Sequence, residues 1–126
     1  MSAVTTSLMS GGHLPAGAAS LLGETITPST LAGTGTAQTG ATAIGGYTVV
    51  LAGAESGATA FVLPANAPLG WRVEVYSVGG ATALIFPPSG GNIDGGTTNA
   101  SVSVASGSEA AFRRVSATQW RWFKGA

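Results

Sequence analysis

From residue 47 onward the chain repeats one pattern: short runs rich in Val, Ile, Phe, Tyr, Trp and Thr, each closed by Gly, Pro, Asn, Asp or Ser. Runs of that length and composition predict β-strands separated by turns. They fall at 47–52, 58–63, 71–78, 81–86, 100–105, 109–115 and 118–124. Within Trp71-Arg72-Val73-Glu74-Val75 the period is two, which puts Trp71, Val73 and Val75 on one face and Arg72 with Glu74 on the other. Ser101-Val102-Ser103-Val104 alternates in the same way, and Glu109, Ala111 and Arg113 oppose Ala110 and Phe112. Strands with one apolar side need a second layer to cover it. The expected fold is therefore all-β, an antiparallel β-sandwich or small barrel of about seven strands.

The connections are read in the same terms. Val78-Gly79-Gly80-Ala81 joins two apolar runs through a Gly-Gly pair, which predicts a tight hairpin over 71–86. Pro87-Pro88 ends the second run, because proline supplies no amide to a ladder. A polar, Gly-rich loop follows from Ser89 to Asn99, with Asp94-Gly95 as a turn inside it and Gly107 as the turn of a later hairpin.

Residues 1–40 differ in kind. They hold Ser, Thr, Gly and Ala with scattered Leu8, Met9, Leu14, Leu21, Leu22, Ile26 and Leu31, no aromatic residue, and only His13 and Glu24 as ionisable side chains. Such a segment has too little apolar surface for a core of its own. It reads as an extended arm, with a short helix over 15–22 as its one candidate element, followed by a β-domain over 41–126. The spaced apolar residues are the candidate contacts to a partner surface, and forty extended residues reach on the order of 130 Å.

Charge narrows the function. Asp, Glu, Lys and Arg make up 8% of the 126 residues and the formal net charge is zero, against about 25% charged residues in an ordinary soluble domain. Without a basic field the chain lacks the usual means of gathering nucleic acid, so no nucleic-acid partner is expected. Cysteine is absent from the sequence, which removes disulfide frameworks and thiolate metal sites and fits folding in a reducing cytoplasm or a particle assembled there. The first dozen residues lack the pattern of a signal peptide and no run is apolar enough to span a bilayer, so no membrane partner is expected.

Catalysis finds little to stand on. A triad would have to draw its histidine, His13, from the arm and pair it with a carboxylate such as Asp94, and positioned acid–base chemistry needs a rigid supporting shell. One histidine and five scattered carboxylates make no metal cluster at usable spacing. Gly33-Thr34-Gly35-Thr36-Ala37-Gln38 lacks the lysine of a phosphate loop. No enzyme activity, cofactor or metal is expected. Trp120, Trp122 and Phe123, with Tyr76, are the candidates for a subunit interface or for stacking on a ligand such as a glycan. Trp120 and Trp122 share one strand face and Arg121 and Phe123 the other, so at least one of these aromatics must lie away from the core. Arg113-Arg114 is read as a solvated or ion-paired couple.

The order Tyr47-Thr48-Val49-Val50-Leu51, Phe61-Val62-Leu63-Pro64, Gly70-Trp71-Arg72-Val73-Glu74-Val75-Tyr76-Ser77 and Ala83-Leu84-Ile85-Phe86-Pro87-Pro88 resembles a recurrent β-module of tailed-bacteriophage structural proteins. The likeness continues through Gly91-Asn92-Ile93-Asp94-Gly95, Val102, Val104, Gly107, Phe112 and Ser116-Ala117-Thr118-Gln119-Trp120. It covers about residues 40–124. The resemblance implies a virion protein: a head decoration (cement) or head fibre protein on the capsid surface, homotrimeric, partnered by the major capsid protein or other virion proteins. A tail fibre or baseplate component and a glycan-binding module are the alternatives. Its shared positions are packing and turn residues, and they carry no catalytic role.

Overall fold

The computed structural model describes residues 28–46 and 48–125. Every regular element among them is a strand, and no helix long and apolar enough to cross a membrane occurs among them. The strands are β1 Ser29–Ala32, β2 Thr42–Ala43, β3 Val49–Gly53, β4 Ala60–Val62, β5 Arg72–Ser77, β6 Ala83–Phe86, β7 Asn92–Ile93, β8 Val102–Val104, β9 Glu109–Arg114 and β10 Gln119–Lys124. They form two sheets, ordered β1-β3-β5-β9-β10-β7 and β2-β4-β6-β8.

The all-β class holds, but the pairing is that of a coil. The chain alternates between sheets, so that β1 and β2, β3 and β4, and β5 and β6 form three successive rungs. Each strand lies parallel to the one a rung earlier: β1 to β3 to β5 in the first sheet, β2 to β4 to β6 in the second. β8 and β9 then run back along the last rung, antiparallel to β6 and β5. Only β9 and β10 make a sequential hairpin, and β7 closes the far edge parallel to β10. The result looks like a β-solenoid of about four turns, in place of the expected antiparallel sandwich or barrel.

Local chemistry accounts for this path. The Gly79-Gly80 pair does not turn a hairpin: β5 and β6 lie in different sheets, and neither glycine has a positive φ. Gly79 is needed for a different reason, because a β-carbon there would overlap the backbone of Ala54 in the preceding rung. The corner is fastened to that rung by the Val78 amide donating to the Ala52 carbonyl (3.0 Å) and the Ala81 amide to the Ala54 carbonyl (2.9 Å). Gly107, at φ 82°, likewise turns the chain from the second sheet to the first. The Asp94-Gly95 turn is as expected: φ is 55° and 70° at the two residues, and the Gly96 amide donates to the Ile93 carbonyl at 3.0 Å. Positive φ at both central positions is the pattern of a type I′ turn.

The core lies between the sheets and follows the inward positions. Val50 and Ala52 of β3, Val73 and Val75 of β5, Phe112 of β9 and Trp120 of β10 meet Phe61, Ile85 and Val104 of the second sheet, with Ile44 and Leu63 at the corners. Leu31 packs against this cluster from β1. The described part of residues 1–40 therefore belongs to the folded body, with β1 as an edge strand of the first sheet.

Candidate functional site

The candidate partner contacts Leu8, Met9, Leu14, Leu21, Leu22 and Ile26 lie outside the described residues, as do His13 and the helix expected over 15–22. Leu31 is described, and it faces inward and packs on the protein's own core, so it offers little to a partner. The four aromatic candidates separate. Trp120 is 1% exposed and belongs to the core. Trp122 covers its flank, stacked on Phe112 with ring centroids 5.9 Å apart and planes at 15°. Phe123 and Tyr76 stand on the opposite face, 60% and 44% exposed.

That outer face of the first sheet carries much of the chain's limited charge. Register sets it out in lines across the strands. One line runs Leu51, Tyr76, Glu109; the next runs Val49, Glu74, Ala111, Phe123; a third aligns Arg72, Arg113 and Arg121 on β5, β9 and β10. Like charges opposite one another repel, and each arginine turns to an acceptor. Arg72 pairs with Glu74 at 3.3 Å, Arg113 donates to the Gly70 carbonyl at 3.1 Å, and Arg121 pairs with Asp94 at 2.6 Å. Asp94 also accepts from the Trp122 amide at 3.3 Å, which ties the turn after β7 to β10. Arg114 does not pair with a carboxylate among the described residues. Its guanidinium donates to the carbonyls of Ala65, Ala67, Ser116 and Ala117 and so clamps two loops together.

Between the first two lines lies a groove of about 430 Å³. Ala111 forms its floor, buried yet outside the core cluster, with Tyr76 and Phe123 as walls and Arg72, Glu74, Glu109 and Lys124 at the rim. A second depression of about 530 Å³ lies at the corner made by Ile44, Leu63, Pro64, Pro68, Trp71 and Pro88. Among the described residues no three of His, Cys, Asp and Glu stand close enough to hold a metal ion.

No protein-family model matches the chain. No curated protein matches it either. Among solved structures, one titled "Structure of a chaperone-substrate complex" is similar over 82% of this chain, at 21% sequence identity and a TM-score of 0.47. The chain spans 18% of the length of the chain it matches there.

The sequence pattern placed Arg72 and Glu74 on one face, and the structure does the same and adds Tyr76 to it. It gave no notice of Glu109, Ala111 and Lys124 as companions of Tyr76 and Phe123. Their meeting depends on β9 lying between β5 and β10, a long-range pairing that alternation within single strands does not encode.

Proposed function

We propose that this chain is a structural protein of a tailed-phage virion, a decoration or cement protein that seats on the capsid surface and takes the major capsid protein as its partner. The observation that carries the reading is that one edge strand of each sheet, β1 in the first and β2 in the second, belongs to the amino-terminal region or follows directly on it. The chain before β1 thus leads into an edge strand of the first sheet, where another chain can add by backbone pairing. The low charge and zero net charge suit a module held within an assembly better than a free monomer. Trimerisation is part of the proposal, because subunit contact covers edges that otherwise invite uncontrolled pairing. The resemblance of residues 40–124 to phage structural modules supplies the virion context.

The test is deletion of residues 1–27, a cut that leaves all ten described strands intact. The shortened protein should keep its β circular-dichroism spectrum and lose occupancy on particles. Wild-type occupancy after the deletion would remove the arm from the mechanism. Labelling purified virions for this chain separates a head location from a tail one.

A further inference from the structure

We propose that the groove on the outer face of the first sheet is a saccharide-binding site that takes a neutral, hydroxyl-rich oligosaccharide between Tyr76 and Phe123. The proposal stands without the virion reading and goes beyond it. A sugar presents an apolar C–H face and a rim of hydroxyl groups, so its recognition needs an exposed ring beside donors and acceptors that are not already spent. Tyr76 and Phe123 are the large aromatics exposed among the described residues, and both line this groove. They stand on β5 and β10, either side of β9, so their strands are about 10 Å apart. The small Ala111 side chain between them keeps the floor open.

The rim supplies the hydrogen-bonding groups. Arg72 meets Glu74 through Nε at 3.3 Å, and both side chains are about half exposed, so guanidinium donors and carboxylate acceptors remain open to a ligand. Glu109 and Lys124 form no ion pair with any described residue. The two carboxylates and two cations cancel, so the groove has no net field for an anion, and Glu74 and Glu109 would repel a phosphate backbone. An apolar peptide face fits poorly, because it would strip water from four charged groups without replacing their partners. The volume lies within the range of ligand pockets.

The full chain is tested on an array of immobilised neutral oligosaccharides built from hexoses and N-acetylhexosamines, with uronate-containing oligosaccharides alongside. Wild type should be retained on neutral sugars. Phe123→Ala, Glu109→Gln and Ala111→Leu should each weaken retention by about tenfold or more, while Val115→Ser, at an exposed position outside the groove, leaves it unchanged. Matching thermal melts for all four variants separate a lost contact from a lost fold. The proposal is overturned if wild type retains no neutral oligosaccharide, or if the three groove variants bind as wild type does. Retention confined to uronates would also overturn it, since that would move recognition to the line of Arg72, Arg113 and Arg121.

Discussion

Ser77 is the last residue of β5, fully buried on the inward side of the strand. Its hydroxyl finds no hydrogen-bond partner among the described residues, although its amide and carbonyl are bonded to Ser108 and Gly107. A buried hydroxyl without a partner carries its desolvation cost in full. Ser77→Ala removes the hydroxyl and little volume, so it should raise stability by about 1 kcal/mol. Urea unfolding monitored by Trp fluorescence checks this: the midpoint should rise with the m-value unchanged. At this scale the sequence was legible where side-chain alternation decides the outcome. The opposition of Trp120 and Trp122 to Phe123 follows from period two alone, and so does the exposure of Arg72 and Glu74. The role of Arg114 was not legible, because its four carbonyl acceptors come from loops whose approach depends on the tertiary path.

The same limit governs the elements. All seven strand positions expected from the sequence are occupied by strands, and the Asp94-Gly95 turn has the conformation its residues favour. Three short strands were missed: β1, β2 and β7, at four, two and two residues, are too brief to show a period. Misreading of the Gly79-Gly80 corner has a different cause. A Gly-Gly pair between apolar runs serves equally for a hairpin, where φ must be positive, and for an arch, where a neighbouring backbone must come close. Here the second requirement applies, and the two glycines differ in how strictly they meet it. Gly79 has Ala54 backbone where its β-carbon would be, whereas Gly80 meets only the end of the movable Glu55 side chain, at 3.3 Å. Gly79→Ala should therefore destabilise by about 1–3 kcal/mol, as overpacking does, and Gly80→Ala by much less. Comparing the two melting temperatures tests the arch directly, since a hairpin turn would impose no such difference between neighbours.

For the whole molecule, the parallel coil was hidden because side chains alternate with the same period in parallel and antiparallel strands. A weak repeat does mark it. Phe61-Val62-Leu63-Pro64 and Leu84-Ile85-Phe86-Pro87 end 23 residues apart, and β3 and β5 also begin 23 residues apart. A repeat of that length signals stacked rungs, and with only two clear copies it stays below notice. Stacking gives each rung one neighbour on either side, so an end rung shields the next from solvent. β1 does so for β3: Ser29 through Ala32 pair with Val50 through Gly53, and Leu31 lies against the core beside Ala52. A cut after residue 27 and a cut after residue 40 should then differ sharply. The first spares β1, and its melting temperature should match that of the full chain. The second strips β1 from the edge and removes the Leu31 contact, a loss of about 2–5 kcal/mol if it resembles truncation of a buried leucine. It also uncovers the backbone edge of β3, a site for unwanted pairing, so the longer deletion should melt lower and self-associate in light scattering. Equal melting temperatures for the two truncations would mean that β1 is dispensable and that the folded unit begins at β2.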